Sequence, residues 1–516
     1  MITAIEIENF KGIGERVRIP LKPITLLFGP NSSGKSTILH ALHYAREVLE
    51  GRSADIDRTT AGGGFVDLGG FRNFVHKREL GRPITFRAEL FLPRVSLPSY
   101  IEPDFTSWEF EKYVSNACVE FTVQWSALQA RPVVTRYEVS INDQPLAAIT
   151  YQPGRSYAEL TSFNGGHPIF AETHGHVLDA DSTPVDGREL AEKIARHPIF
   201  MFEQESALPR FGALMDFSES HSTPDDSLWS VFEGDDPGRA ALTQLIVGPG
   251  EVLLQTLRAA RYLGPLRETP PRNFEPLRHD DPARWANGLA AWDALYLASN
   301  ELLGEVSDWV SGPNRLAAGY LLRRTEVLEL DAADPAVVQI LTEQPLDDVD
   351  FVDIRTRLRS ASRRTRLVLT DTNTGADLTP ADVGEGITQI VPVVVALVEP
   401  ADGIAAIEQP ELHVHPAVQV GLGDLLIQAA RRHKEPLIIE THSEHLLLRL
   451  LKRIRQTAES DPDLGDFGLR PDDLSVVYME QGDSGIHATP LRIDQTGEFI
   501  DRWPKGFFDE RAKELF

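Results

Sequence analysis

Cysteine is nearly absent from this sequence, since Cys118 is the only one among 516 residues. A disulfide framework needs paired cysteines and a cysteine-based metal site needs several, so the sequence excludes both. A chain without disulfides is typical of the reducing cytoplasm, and we therefore expect a cytoplasmic protein.

Long hydrophobic runs are also lacking. The longest mainly apolar segment, 387–398, contains Pro392 and is shorter than the roughly 20 residues that a membrane-spanning helix needs. The N-terminus begins with spaced isoleucines, Ile2, Ile5 and Ile7, and not with the basic and apolar regions of a signal peptide. We therefore expect neither membrane association nor export. A sustained heptad repeat is missing as well, which argues against a long coiled coil.

Positive charge is scarce, because 51 Lys and Arg face 77 Asp and Glu, for a net charge of −26. Proteins that coat nucleic acid or bind anionic membranes concentrate positive charge, so neither is expected as the main role. A local group of six arginines is the exception: Arg355, Arg357, Arg359, Arg363, Arg364 and Arg366. The first three alternate along a predicted strand. This group could bind DNA phosphates, meet an acidic protein, or form a solvated hairpin.

The most informative segment that is present follows the apolar run 24–28 and reads GPNSSGKST. Its residues are Gly29, Pro30, Asn31, Ser32, Ser33, Gly34, Lys35, Ser36 and Thr37. A strand, a glycine-rich turn and a helix in this order form a P-loop, whose backbone N–H groups and helix N-terminus bind phosphates. Lys35 is expected to reach the β- and γ-phosphates and Ser36 to ligate Mg²⁺. The segment therefore predicts ATP and Mg²⁺ as ligands.

A second part of the same site is predicted four hundred residues later. Residues 403–408 form a short apolar run that ends in Glu408, with Gln409 and Glu411 directly after it. P-loop ATPases hold the Mg²⁺ shell with a carboxylate at the end of a buried strand. Glu408 is therefore the Walker B candidate and, with Ser36, a predicted metal ligand.

A third segment brings a histidine to a strand end. The apolar run 436–439 is followed by Glu440, Thr441 and His442, and then by a helix with leucines on one side. A histidine at such a position can sense or polarise a γ-phosphate. We therefore predict that His442 belongs to the catalytic group.

A second glycine-containing helix start lies between the two halves. Gly384, Glu385 and Gly386 precede an apolar helix, and a helix N-terminus of this kind binds anions. The P-loop already provides one helix N-terminus for the phosphates of this chain's nucleotide. The second helix N-terminus would therefore bind the nucleotide of a second subunit. The alternative is an ordinary glycine turn before a core helix.

Together these segments resemble the ABC-type ATPases of the SMC/RecF/OLD group, and are similar to the AAA-family single-head ATPases of bacterial anti-phage defence. The resemblance is carried by the P-loop, IEQPELHVHP at 407–416, IETHSEHLLLRLL at 439–451 and WPKGFF at 503–508, with ENFK at 8–11 and YLGPLR at 262–267 as further support. It implies an α/β, ABC-type P-loop ATPase head: a mixed sheet with an antiparallel β flank, split by a compact, mostly helical insertion. It also implies two ATP molecules held between two heads, which makes a homodimer the expected assembly.

The resemblance also suggests a division of the chain. The flank would include strands at 84–92, 119–125 and 133–141, where apolar and polar residues alternate. The predicted units are an N-lobe at 1–165, an irregular and then helical insertion at 166–335, and a C-lobe at 336–516.

Three departures from the family pattern concern hydrolysis. ABC-type sites usually carry a glutamate where this chain has Gln409, and an amide cannot accept a proton at neutral pH. Glu411 is the candidate replacement base. Gly384 stands where the signature serine is usual, and no Q-loop glutamine is recognisable near 67–71. Slow hydrolysis is therefore expected.

The function that this sequence predicts is an ATP-binding and ATP-hydrolysing head that dimerises around nucleotide. The resemblance adds a role as sensor or regulator in anti-phage defence, beside a separately encoded effector protein. Two alternatives stay open. One is a RecF-like DNA-repair clamp that uses the six arginines, and the other is a weakly hydrolysing, ATP-gated scaffold.

Overall fold

A computed structural model describes most of the chain. The described residues are 1–93, 97–100, 113–172, 177–178, 184–185, 187–196, 199–202, 204–215, 237–279, 281–297, 299–342 and 348–502. The WPKGFF segment at 503–508 lies outside them.

The described strands are β1 (Ile2–Glu8), β2 (Val17–Pro20), β3 (Ile24–Phe28), β4 (Ile84–Phe91), β5 (Asn116–Ser126), β6 (Arg131–Ile141), β7 (Gln144–Tyr151), β8 (Tyr157–Phe163), β9 (Val177–Leu178), β10 (Pro184–Val185), β11 (Ile199–Phe202), β12 (Arg261–Leu263), β13 (Tyr320–Glu329), β14 (Ser362–Asp371), β15 (Asp377–Leu378), β16 (Ala405–Glu408), β17 (Leu437–Glu440), β18 (Leu474–Gly482) and β19 (Gly485–Leu491). The described helices are α1 (Lys35–Leu49), α2 (Phe71–Phe74), α3 (Pro168–Glu172), α4 (Gly187–Arg196), α5 (Pro237–Ile246), α6 (Gly248–Arg258), α7 (Pro282–Ala286), α8 (Leu289–Leu297), α9 (Asn300–Ser311), α10 (Pro335–Leu341), α11 (Asp348–Ser360), α12 (Glu385–Val398), α13 (Pro416–Arg432) and α14 (Glu444–Ala458).

A six-stranded sheet in the order β12-β16-β17-β3-β18-β19 forms the centre of the fold. The first five strands pair in parallel, whereas β18 and β19 form an antiparallel hairpin. Strands β3, β16 and β17 are buried at every position, as expected for parallel strands covered on both faces. Because their carboxyl ends meet at one edge, the segments after Phe28, Glu408 and Glu440 come together there.

An eight-stranded sheet in the order β11-β8-β7-β6-β5-β4-β1-β2 lies beside it, and all its pairs are antiparallel. In β5, Val119, Phe121 and Val123 are buried, whereas Glu120 on the opposite face pairs with Arg16 at 3.0 Å. The three predicted flank strands correspond to β4, β5 and β6. The α/β fold predicted for an ABC-type head is therefore confirmed in its mixed sheet and its antiparallel β flank.

The central sheet contributes to two hydrophobic cores, one on each face. Leu27, Ile438 and Val477 share a core with α1, α6 and the antiparallel sheet. The alternate residues Leu26 and Ile439 share the other core with α8, α9, α12, α13 and α14. The P-loop helix α1 is thus held between two sheets, which fixes the start of the helix in space.

A buried charge cluster joins α13 to α14. Asp424 on α13 has a fully buried side chain and accepts two hydrogen bonds from each of Arg449 and Arg453 on α14, with an Arg453 Nε–Asp424 Oδ1 distance of 2.8 Å. These guanidinium groups hold the pKa of Asp424 below its usual value, against the effect of burial. The cluster stabilises the two helices that follow the strands of the site.

The predicted insertion is less separate than the sequence suggested. β12, which lies within 166–335, pairs with β16 and is therefore part of the ATPase sheet. β13 and β14 pair over ten residues each, so the predicted boundary between 335 and 336 falls between the two strands of one hairpin. β12 has only three residues, which is too short for a periodic pattern.

The prediction that three arginines alternate along a strand was wrong. Residues 355–359 belong to helix α11, whereas Arg363, Arg364 and Arg366 lie on β14. Spacing of two residues does not by itself distinguish a strand from an exposed helix, and arginine is a good helix former. The group is also partly neutralised. Arg357 pairs with Asp353 and Asp334, Arg363 with Glu326, and Arg364 with Glu329.

The helices in the described ranges include none that is both long and apolar enough to cross a membrane.

Candidate nucleotide-binding site

The P-loop joins the end of β3 to the start of α1. Gly29 and Gly34 have positive φ angles of 149° and 89°, and Gly34 is the residue that caps α1. No side chain of the described chain caps this helix start. The Thr37 N–H donates to the Gly34 carbonyl at 3.0 Å, and the N–H groups of Lys35 and Ser36 can meet an anion. Of the other predicted loop residues, Pro30, Asn31 and Ser32 are exposed at the tip, and Thr37 is buried in the first turn.

Lys35 lies inside this loop, as predicted. Its Nζ donates to the carbonyl oxygens of Gly29 at 3.1 Å and Pro30 at 2.9 Å, and only 3% of the residue is exposed. Burial lowers the pKa of Lys35, while Glu440, Glu411 and Glu408 act in the opposite direction. A buried ammonium in a loop without bulky side chains fits the β- and γ-phosphates of a nucleotide.

One further buried polar atom of the loop has no partner. The hydroxyl of Ser33 is buried and makes no hydrogen bond within the described structure. Since buried polar groups are normally hydrogen-bonded, this hydroxyl fits a loop that is completed by a ligand. The residues present therefore fit a bound triphosphate.

Two carboxylates lie side by side at the same sheet edge. Glu408 ends β16, Glu440 ends β17, and the two are directly paired in the parallel register. The Ser36 hydroxyl donates to Glu440 Oε2 at 2.7 Å, and the Tyr262 hydroxyl donates to Glu408 Oε1 at 2.8 Å. Burial, and next the charge of Glu440, raise the pKa of Glu408 to about 7. Burial also raises the pKa of Glu440.

This arrangement fits a divalent cation. Mg²⁺ takes oxygen ligands and is held by one or two carboxylates with waters and substrate phosphates. Ser36 and Glu408 were predicted as ligands, and the structure adds Glu440, which contacts Ser36 directly. Within the described residues no three His, Cys, Asp or Glu side chains cluster as metal ligands.

The sequence pattern also contains a signal for Glu440. Glu440 follows the apolar run of β17 in the same way as Glu408 follows β16. The pairing of these two strands in the structure shows that both carboxylates lie at the same edge of the sheet.

Glu411 is placed beside the histidine segment. Its Oε1 accepts a hydrogen bond from the backbone N–H of His442 at 2.6 Å, whereas its Oε2 is buried and without a partner among the described residues. Burial raises the pKa of Glu411. Burial and then the charge of Lys35 lower the pKa of His442, which keeps its imidazole neutral near pH 7. Gln409, which stands where ABC-type sites usually carry a glutamate, has a positive φ of 43° and donates its backbone N–H to the Glu440 carbonyl at 2.7 Å.

Arg267 is a site residue to which the sequence analysis gave no role. It is 3% exposed, and its guanidinium donates to the carbonyl oxygens of Glu408 and Gln409, the latter at 3.2 Å. Its backbone N–H donates to Gln389 Oε1 at 3.0 Å, and its backbone carbonyl accepts from Gln389 Nε2 at 2.7 Å. Although burial lowers the pKa of Arg267 to about 10, it stays charged at neutral pH. Arg267 thus ties the turn after Glu408 to the first turns of α12.

The predicted signature segment starts α12. Gly384 is exposed and caps the helix, Glu385 lies 3.7 Å from His413, and a Cβ on Gly386 would lie 2.7 Å from the His413 carbonyl oxygen. A cavity of about 340 Å³ lies between these glycines and the segment of His413 and His415. The contacts of the signature segment are therefore with the segment after Glu408.

Three family models match the chain. They are "AAA ATPase domain" over residues 1–48, "AAA domain, putative AbiEii toxin, Type IV TA system" over 216–449, and "Protein of unknown function (DUF3696)" over 469–516. The DNA replication and repair protein RecF of Prosthecochloris aestuarii (strain DSM 271 / SK 413) is 50% identical over 40 residues, which are 8% of this chain and 11% of that protein. Residues 1–48 and 216–449 are therefore similar to AAA-type ATPase domains.

Similar solved structures are SMC heads. The SMC head domain from Thermotoga maritima is 8% identical with a TM-score of 0.36, covering 95% of this chain and 99% of that chain. The Smc head with an extended coiled coil from Pyrococcus furiosus, bound to the C-terminal domain of ScpA, is 12% identical with a TM-score of 0.37, covering 100% and 98%. The SmcHead bound to the C-winged helix domain of ScpA is 11% identical with a TM-score of 0.41, covering 96% and 98%.

The first prediction concerns Glu440. Glu440→Gln removes one of two adjacent anions, so the gain in ATP affinity that Mg²⁺ provides should fall by roughly tenfold or more, while Mg²⁺-free binding is retained. Titration of a fluorescent ATP analogue with and without Mg²⁺ measures this effect. Glu399→Gln is the control, because Glu399 pairs with Arg261 at the opposite end of the sheet. Equal Mg²⁺ dependence in Glu440→Gln and wild type would remove Glu440 from the site.

Proposed function

We propose that this protein binds and hydrolyses MgATP. The observation that supports the proposal best is the meeting of a P-loop lysine and serine with two strand-end carboxylates at one sheet edge. Lys35 and Ser36 come from one end of the chain, and Glu408 and Glu440 from the other. Such a combination of positive loop, hydroxyl and paired acids suits a phosphate chain that carries a divalent cation.

The residues of the site have different proposed roles in phosphoryl transfer. Lys35 and the N-terminus of α1 would offset the charge of the phosphate oxygens, and Ser36, Glu408 and Glu440 would hold a divalent cation, whose chemistry is to neutralise phosphate charge. Tyr262 and Arg267 fix Glu408 by its side chain and its backbone, respectively.

Removal of the loop charge tests the proposal directly. Lys35→Ala should weaken ATP binding by roughly ten- to a hundredfold, the scale of losing one hydrogen-bonding partner with a charge, and should abolish turnover. Lys434→Ala serves as the control, since Lys434 is exposed and pairs with Asp402 away from the P-loop. Unchanged ATP affinity of Lys35→Ala in a calorimetric titration would overturn the proposal.

We propose Glu411 as the general base. Its buried Oε2 makes no hydrogen bond within the described chain, its other oxygen accepts from the His442 N–H, and its raised pKa makes the carboxylate a better proton acceptor. Gln409 can orient a water but cannot accept its proton.

The base assignment predicts a split between binding and chemistry. Glu411→Gln should leave ATP affinity unchanged and slow single-turnover hydrolysis by roughly two to four decades. Gln409→Glu restores the glutamate that ABC-type sites usually carry at this position. It should change the rate of hydrolysis little if Glu411 is already the general base. Equal rates in Glu411→Gln and wild type would contradict the assignment. Phosphate release too slow to detect in both the wild type and Gln409→Glu would favour the ATP-gated scaffold.

We also propose that two heads close around nucleotide through residues 384–386. The N-terminus of α12 has no side-chain cap from the described residues and lies beside residues 413–415 of the same chain. A helix N-terminus of this kind suits a phosphate, which a second copy of the chain would supply. Arg267 and Gln389 would then connect each head's own nucleotide with the one held at its partner surface.

Dimer closure predicts a selective effect of Gly384→Glu. Gly384 is exposed with a φ of −62°, and a Cβ there meets nothing within 4 Å, so the variant should fold normally. Its carboxylate should repel the partner's γ-phosphate and prevent dimers in sedimentation with a slowly hydrolysed ATP analogue, without loss of binding to one head. Gly304→Glu, at an equally open helix position, is the control. Nucleotide-independent sedimentation of the wild type would contradict closure.

The biological role that we propose is regulation of a separately encoded effector, in anti-phage defence. Its support is the family resemblance. Plaque counts in cells that carry the native locus with wild type or Lys35→Ala test it, and equal plating would overturn it. The DNA-clamp alternative is favoured only by Arg355, Arg359 and Arg366, which are exposed and have no ion pair in the described chain. Salt-dependent DNA binding that is lost when these three are replaced would support that alternative.

A further inference from the structure

The C-terminal hairpin β18–β19 lies within the segment that matches a family of unknown function. β18 pairs in parallel with the P-loop strand β3, with Val476 opposite Leu26 and Tyr478 opposite Phe28. Where β3 ends and the P-loop begins, the hairpin therefore continues alongside the loop.

Both P-loop glycines lie against this hairpin. A Cβ on Gly29 would come within 3.0 Å of the Met479 carbonyl oxygen, and a Cβ on Gly34 within 3.0 Å of Ile486 Cδ1. Distances this short are not tolerated by real side chains. At Gly29 the opposing atom is backbone, so the hairpin gives a reason for glycine there that is additional to its positive φ angle. At Gly34 the opposing atom is the end of the Ile486 side chain, which packs directly on the loop.

Ile486 also contacts the N-terminal turn. Its backbone N–H donates to the Gly12 carbonyl at 2.9 Å, and its Cδ1 would meet a Cβ on Gly12. The residue is 4% exposed. One isoleucine therefore fills the space between the turn at Gly12 and the P-loop at Gly34.

The hairpin turn itself is closely fitted. A Cβ on Gly485 would lie 2.7 Å from the Gly12 carbonyl oxygen, and a Cβ on Gly14 would lie within 3.0 Å of the Ser484 carbonyl oxygen. Backbone meets backbone on both sides, so the turn has little room to move relative to the P-loop.

From these contacts we infer that the β18–β19 hairpin belongs to the nucleotide-binding apparatus and that Ile486 is a positioning residue for the P-loop. A glycine-rich loop has few side chains of its own to fix its shape, so its shape depends on what packs against it. Ile486 holds Gly34, the residue that caps α1, and thereby places the first-turn N–H groups, Lys35 and Ser36. The inference rests on the proposed function.

The test compares two truncations in one strand. Ile486→Ala and Leu491→Ala each remove a buried aliphatic side chain from β19, but Ile486 packs in the core of α1 and Leu491 in the opposite core. Both variants should lower the Tm. Only Ile486→Ala should raise the Kd for a fluorescent ATP analogue, by about tenfold or more, when measured well below either Tm.

A conservative variant protects the test against loss of folding. Ile486→Val removes only Cδ1, the atom nearest Gly34, and should raise the Kd by roughly threefold with a small change in Tm. Wild-type affinity in both Ile486 variants, or an equal loss in Leu491→Ala, would overturn the inference while leaving the proposed function intact. Failure of the wild type to bind ATP would overturn the proposed function, and this inference with it.

Discussion

The constraint on which the site depends is the burial of like charges. Glu408 and Glu440 end adjacent strands, and Glu411 lies nearby, so three carboxylates share one water-poor region. Burial penalises each charge, and the charge of Glu440 also disfavours ionisation of Glu408. Lys35, Arg267 and Lys11 are cations whose charges act on one or more of these acids. A divalent cation beside Glu408 and Glu440 would offset the repulsion between these two carboxylates further.

This constraint is met by segments that are far apart in the chain. The parallel strands β3, β16 and β17 bring residues 28–37, 408–411 and 440–442 to one edge. Strand β12 adds Tyr262, and the segment after it adds Arg267. Each segment makes contacts that another segment requires. The Tyr262 hydroxyl holds a carboxylate of β16, and the carbonyl after that carboxylate is held by Arg267. Loss of one of these contacts would therefore weaken the placement of another residue of the site.

The antiparallel sheet and the C-terminal hairpin serve the same site from outside. The antiparallel sheet shares a core with α1, and the hairpin packs on the loop that precedes this helix. Together they limit movement of the helix N-terminus. By contrast, the arginines on α11 and β14 lie on exposed elements, and several of them pair with acids of their own hairpin. Their local chemistry is that of a partly neutralised surface.

The sequence by itself determined the local parts: the P-loop, the strand ending in Glu408, the His442 segment, the flank strands and the α/β class. Each of these is encoded within a few adjacent residues, by spacing or by alternation. Only the tertiary structure decided that Glu440 faces Ser36, that Tyr262 and Arg267 hold Glu408, and that Ile486 packs on Gly34. Those contacts join residues more than a hundred positions apart, through strand order and helix packing, and no local pattern records which distant partner a buried side chain will meet. The misread segment 355–359 shows the converse, since an exposed charged pattern carries no burial signal to separate helix from strand.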